Sequence, residues 1–334
     1  MHRGRKYALV AGGAGFIGSH LVESLVTEGW FVDVLDNFTT GRPDNLKASA
    51  SFDNAGDYEP DPEKLLAVHA CDVAADLNNP ARDNGRTLSQ YDVVYNLACP
   101  ASPKVYQADG VGTVMTNVVG TANLLGLARA HDALFVQAST SEVYGDPAVH
   151  PQDETYWGNV NPYGPRSCYD EGKRCAETLC YEFKQAGCDV RVARIFNTYG
   201  PRMDPDDGRV VSNFIRQALR GEPLTVYGDG EQTRSFCYVS DLVAGLRKLA
   251  ALPAYSLHTP VNLGNDGEFK IIELAEALSE WFPRLIVVNE PLPTDDPKMR
   301  KPDLTLARSL GYSPTVPLRV GLQRTIEWMK ERLA

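Results

Sequence analysis

Tyr169 and Lys173 stand four residues apart in SCYDEGKRCAE, a stretch of good helix formers, so on a helix their side chains share one face. A phenol ionises near pH 10 and is a poor base at neutral pH. An ammonium one turn away stabilises the phenolate, and a second cation nearby adds to that field. Lowering the pKa by about three units takes about 4 kcal/mol, within reach of two cations in a water-poor cleft. Such a pair could take the proton of an alcohol while hydride leaves the same carbon for an oxidised dinucleotide. Alone, the spacing is a frequent coincidence. It needs a hydride acceptor and a holder for the alcohol oxygen.

Both have candidates. In ALVAGGAGFIGSHL, Gly12, Gly15 and Gly18 follow a strand-like run and open a helix. Glycines there permit a tight turn, close backbone approach to a pyrophosphate and tight packing of helix on sheet. The helix N-terminus then offers N–H groups and the positive end of its dipole to the phosphates. Asp36 ends the second strand-like run in VLDNF, about 24 residues after Gly12, near the spacing for an acid that binds ribose hydroxyls. A carboxylate there repels a 2′-phosphate, so NAD rather than NADP is expected. Asp72, in CDV, either reaches the adenine edge or caps a strand end. The holder of the alcohol oxygen lies in QASTSEVYGD: Thr140, with Ser141 and Glu142 beside it.

The elements that position these residues alternate. YALVAG, FVDVLD, LLAVHA, DVVYNLA, ALFVQAS and DVRVARIFN read as strands, and such near-continuous apolar runs suit strands buried on both faces. Helical patterns lie between them, notably Phe16 to Glu28, Gly112 to Ala130 and Tyr169 to Ala186. The alternation predicts an α/β fold, a doubly wound parallel sheet. Thr140 then sits at the carboxyl edge, where such folds place ligands. Beyond about Asn197, Pro, Gly and charge become frequent. The predicted organisation is a dinucleotide-binding domain over 1–196 with about 236–258, and a smaller α/β substrate-binding domain over 197–235 and 259–334. ASASFDNAGDYEPDPEK, Ala48 to Lys64, reads as a long polar connection.

Composition excludes several classes. The chain has 334 residues, 43% hydrophobic and 23% charged, ample for a core. The net charge of −10 disfavours nucleic acid or an anionic membrane as partner. Seven scattered Cys with no C-x-x-C pair point to reduced thiols, not to disulfides or a metal site. No apolar run approaches the roughly 18 to 20 residues that span a bilayer. MHRGRKY leads directly into a strand, unlike a signal peptide. A cytoplasmic location is expected.

The set resembles the extended short-chain dehydrogenase/reductases that act on nucleotide sugars, with a Rossmann sheet. ASTSEVYGDPAVHPQDETYWGNVNPYGPRSCYDEGKRCAET and VARIFNTYGPRMDPDDGRVVSNFIRQALRGEPLTVYGDGEQTRSFCYVSDL are very similar to the UDP-glucuronate decarboxylases, the UDP-xylose synthases. The resemblance implies a recycled NAD, UDP-glucuronate as substrate, and a homodimer pairing the helices near Gly112 to Ala130 and Tyr169 to Ala186. It implies Tyr169, Lys173, Thr140, Ser141, Glu142 and Arg234 as catalytic residues, Arg234 being the active-site arginine. NAD contacts by the resemblance add Phe16, Ile17, Asn37, Phe38, Thr40, Gly41, Val73, Leu97, Ala98, Thr116 and Ala138. Substrate contacts are Pro103, Tyr106, Thr140, Asn197, Arg209, Val210, Tyr227, Arg234 and Arg300. A 4-epimerase acting on the same sugar acid is the alternative. Related 4,6-dehydratases carry an Asp where this chain has Ser141, too weak an acid to protonate a departing hydroxyl. The family's SPASP and a later Lys are replaced by Cys99 and Met115, with Lys104 the candidate substitute cation.

Overall fold

The computed structural model describes residues 6–46, 65–75, 90–292 and 299–333. The polar connection at 48–64 lies outside them. Six strands form first: β1 (Tyr7–Ala11), β2 (Phe31–Asp36), β3 (Leu66–Ala70), β4 (Val93–Asn96), β5 (Leu134–Thr140) and β6 (Val190–Ile195). They join a seventh, Val261–Leu263, in one parallel sheet ordered β3-β2-β1-β4-β5-β6 and then the seventh. β1, β4 and β5 are buried almost throughout, as strands covered by helices on both sides must be. The order reverses between β1 and β4, which opens a crevice at their carboxyl ends.

The seventh strand corrects the predicted domain boundary, because it comes from the segment assigned to the smaller unit. VNL is too short to announce itself, and the parallel register on β6 is what makes it a strand. The rest of the C-terminal half supplies short ribbons and helices, one of which, Val239–Ala250, packs on the sheet against β5 and β6. In one ribbon Thr233–Ser235 pairs with both Glu268–Lys270 and Met299–Arg300.

Five helices frame the crevice: α1 (Phe16–Thr27), α2 (Pro103–Ala108), α3 (Gly110–Met115), α4 (Thr121–Ala130) and α5 (Ser167–Gln185). The predicted helices correspond to α1, to α3 with α4, and to α5. A π-helical turn, Thr116–Gly120, joins α3 to α4, the kind of local widening that recurs at functional sites. Contrary to the expectation from apolar runs, Gly110–Ala130 is long and apolar enough by composition to cross a membrane. Its buried positions, Thr113, Asn117, Gly120, Thr121, Leu124, Leu125 and Ala128, recur at helical spacing and mark one packed face. α3, the π turn and α4 pack on α5. α5 ends where Gly187 adopts φ +93°, a conformation glycine enters freely.

Candidate active site

The carboxyl edge of the sheet opens into one cavity of about 1170 Å³, larger than a single small ligand requires. Every residue named above as catalytic, cofactor-binding or substrate-binding lines it. These residues come from six strand ends, four α-helices, the π-helical turn and the C-terminal ribbons, and the fold brings them together.

One end of the cavity fits a dinucleotide. Gly12 has φ +75°, and a Cβ there would lie 2.6 Å from the Leu97 carbonyl oxygen. The turn can therefore carry no side chain. α1 follows Gly15 at its N-cap, with no side-chain cap and no acidic residue in its first turn, so its N-terminal N–H groups are left for an anion. Asp36 is buried; its Oδ2 accepts from Ala14 N at 2.9 Å and its Oδ1 from Phe38 N at 2.9 Å. Burial pushes its pKa up, against these two hydrogen bonds. The carboxyl group is thus fixed at the cavity wall by backbone donors with lone pairs to spare. Asp72 Oδ1 accepts from Ala74 N at 2.8 Å, a strand-end cap that also lines the cavity.

Gly12→Ala is expected to strip the protein of bound dinucleotide, because the added methyl must displace the β4 strand end from under the turn. Backbone strain there costs about 1–3 kcal/mol, read as a lower melting temperature. Cofactor content, read from the absorbance of material released on denaturation, should fall at least about tenfold. Unchanged content would mean that the turn does not carry the pyrophosphate.

The reacting groups gather at the other end. Tyr169 and Lys173 lie in the first two turns of α5, both buried. Lys173 Nζ donates to the Ala138 carbonyl at 2.9 Å and sits 5.9 Å from the Tyr169 ring centre; burial lowers its pKa. Thr140 Oγ1 accepts from Glu142 N at 3.2 Å, which leaves its O–H to donate to the Tyr169 phenol oxygen. Tyr106 stacks on Tyr169, ring centres 4.9 Å apart and 7° from parallel, fixing the ring. Cys99, half-buried, accepts from Asn117 Nδ2 at 3.1 Å.

In the protein alone, without a second cation in the cavity, the Tyr169 pKa is raised. Burial pushes the phenol far above its usual range; the Cys99 thiol and Glu142 add to that, and only the Thr140 hydrogen bond and Arg209 oppose. Desolvation of a fully enclosed phenolate outweighs the nearby ammonium. Tyr169 is therefore a protonated phenol until another cation enters the cavity.

The arginines of the site differ in their partners. Glu142 is gripped by Arg300 through both terminal nitrogens, Nη2 at 2.8 Å from Oε2, and by Arg166 Nη2 at 2.5 Å. Burial opposes ionisation, but the guanidiniums of Arg300 and Arg166 outweigh it and hold the pKa at about 2. Glu142 is a fixed carboxylate. Arg234, the active-site arginine that the resemblance implies, lines the same cavity and pairs in strand register with Arg300; its Nη1 donates to the Thr233 carbonyl at 2.9 Å. Arg209 pairs with Asp207 through Nε and through Nη2, the latter at 2.9 Å. Lys104 is exposed and lies off the cavity wall, so it does not replace the family lysine lost at Met115. The cation that sequence reasoning missed is Arg166, three residues before Tyr169 in PYGPRSCY; its position just ahead of α5 was the available signal.

Residues 8–264 match the NAD dependent epimerase/dehydratase family. The chain is 51% identical to UDP-glucuronic acid decarboxylase 1 of Arabidopsis thaliana over 99% of its length and 71% of that protein. It is 48% identical to UDP-glucuronic acid decarboxylase 1 of Xenopus tropicalis, over 98% and 73%. Its fold is similar to that of UDP-glucuronic acid 4-epimerase from Bacillus cereus, solved with UDP-glucuronic acid and NAD, at TM-score 0.82 and 27% identity over 98% and 99% of the two chains. A glycine turn under an uncapped helix, a buried acid at the next strand end and a Thr-Tyr-Lys set in one cleft agree with these likenesses, and the chain belongs to the NAD dependent epimerase/dehydratase family.

Proposed function

We infer that this chain is an NAD-dependent carboxy-lyase that converts UDP-glucuronate to UDP-xylose. The observation that carries the reading is the clamp of Arg166 and Arg300 around Glu142 beside Tyr169 and Thr140, in a chain about half identical to decarboxylases along nearly its whole length. NAD, which the Gly12 turn, the uncapped N-terminus of α1 and Asp36 would hold, would supply the positive charge that makes a Tyr169 phenolate accessible and a reversible hydride acceptor for C4 of the sugar.

The chain's residues do the rest. Tyr169 takes the proton of the C4 hydroxyl, and Thr140 donates to the same oxygen. The resulting ketone is β to the C6 carboxylate. Arg166 and Arg300 hold that carboxylate, and the Glu142 charge turns it out of the carbonyl plane by repulsion. As the C5–C6 bond breaks, CO₂ leaves and the electron pair becomes a C4 enolate. The Tyr169 and Thr140 hydroxyls donate to this oxyanion. C5 takes a proton that comes ultimately from solvent, and Tyr169 returns its proton to the C4 oxygen on reduction. Because Glu142 stays ionised, it orients groups and does not act as the acid.

The 4-epimerase reading shares every step up to the ketone. Incubating the protein with UDP-glucuronate and following products by NMR separates the two: UDP-xylose with CO₂ release supports the lyase, and C4-inverted sugar acid with its carboxylate intact contradicts it. A homodimer built on α3, α4 and α5 belongs to the same proposal, supported by Val111, Met115 and Tyr181 exposed on those helices. Light scattering at micromolar protein should give twice the chain mass; a monomer there contradicts the pairing. The cytoplasm is the proposed compartment, in keeping with seven free thiols.

A further inference from the structure

We propose that Asp170 is a positioning residue that sets the charge of the carboxylate subsite, so that the sugar acid is gripped while Asp170 carries a proton and loses that grip when Asp170 ionises. The proposal rests on the decarboxylase reading above and names a control on its substrate binding.

Asp170 lies in the first turn of α5 and is 6% exposed. Its Oδ2 is 4.0 Å from Arg166 Nε, and its buried Oδ1 has no hydrogen-bond partner. The same Arg166 holds Glu142, which Arg300 also holds. Two guanidiniums and two carboxyl groups therefore form one buried cluster. Its net charge is +1 when one carboxyl is protonated and zero when both are ionised. Three charge-assisted hydrogen bonds fix Glu142 as the anion. Asp170 has none so short and leaves an oxygen unsatisfied, which a buried carboxylate tolerates poorly. The cluster's proton accordingly resides on Asp170.

The surrounding groups agree. Burial pushes the Asp170 pKa up to about 7; Glu142 adds to the rise, Arg166 and Arg300 oppose it, and Glu171 on the same helix adds a smaller rise. Tyr106 and Cys168, which also face this charge, are neutral in this range because burial raises both. Below neutral pH Asp170 is uncharged and the two arginines carry one positive charge beyond what Glu142 balances. That excess is what a second carboxylate, the C6 group of the sugar, requires. Above neutral pH the Asp170 charge cancels it. Asp170 is not in the cavity wall and acts through Arg166.

The test is calorimetric binding to NAD-loaded protein in a Tyr169→Phe background, which blocks turnover, with UDP-glucuronate and UDP-glucose as probes. From one pH unit below the Asp170 ionisation to one above, affinity for UDP-glucuronate should fall about tenfold, the equivalent of about one pKa unit of coupling. Affinity for UDP-glucose should change less than about twofold. Asp170→Asn should hold the acid-side affinity across the range, and Asp170→Glu should restore a fall with a shifted midpoint. A fall that persists in Asp170→Asn, or that is equal for both sugars, overturns the proposal. Should Asp170→Asn fail to fold, an unmoved midpoint in Asp170→Glu overturns it. If the wild-type protein makes UDP-xylose yet Asp170→Asn keeps the fall, the proposal fails alone. If the protein neither binds nor converts UDP-glucuronate, the proposed function fails and takes this inference with it.

Discussion

Tyr169→Phe is expected to cut turnover of UDP-glucuronate by about a hundred- to ten-thousand-fold, the range for loss of a general base, while NAD stays bound. The substitution removes one oxygen. The ring stays stacked on Tyr106, Lys173 keeps its bond to the Ala138 carbonyl, and the glycine turn is untouched. What disappears is the phenol oxygen placed beside Thr140 to receive the C4 proton and later to help hold the enolate oxygen. Because burial raises the phenol pKa in the protein alone, the wild-type rate should rise with pH in a way that the Phe variant does not share. Turnover within a few-fold of wild type would remove Tyr169 from the mechanism.

Glu142→Gln is expected to slow CO₂ loss by about a hundred- to a thousand-fold, the scale of losing one charge-aligned group in an enclosed site, with a smaller effect on C4 oxidation. The amide keeps an acceptor for Arg300 and Arg166 but no charge to orient the sugar carboxylate. Arg300→His should act in the same direction. In both variants the 4-keto acid and reduced cofactor should build up, visible as nicotinamide absorbance after one turnover. Removing one partner of a buried ion cluster also costs about 3–5 kcal/mol of stability, so melting temperatures must accompany the kinetics. Equal slowing of both steps would leave Glu142 and the arginines as binding groups only.

The parts of the site that were legible in the sequence are those carried by short local patterns. Tyr169 and Lys173 share a helix face, the glycines share a turn, and Thr140 with Glu142 ends one strand; each follows from spacing alone. The parts that were not legible depend on tertiary pairing. Arg234 and Arg300 sit opposite each other on neighbouring strands, and nothing in QTRSF or KMRKP says which one reaches Glu142. Arg166 lies in a Pro-Gly stretch that reads as a loop, and only the first turn of α5 turns it inward. The seventh strand has three residues and exists because β6 offers it an edge. The rise of the Tyr169 pKa in the protein alone was not legible for a related reason: proximity of Lys173 is a local fact, whereas the desolvation comes from the tertiary packing that buries the phenol.

The central claim is that a Tyr169-centred site oxidises C4, loses C6 as CO₂ and restores C4 without exchange. UDP-glucuronate labelled with deuterium at C4, turned over in ordinary water and read by NMR, tests it most directly. The expected product is UDP-xylose that keeps its deuterium at C4 and has gained one solvent proton at C5. Loss of the C4 label, or a sugar acid inverted at C4 with its carboxylate in place, would contradict it.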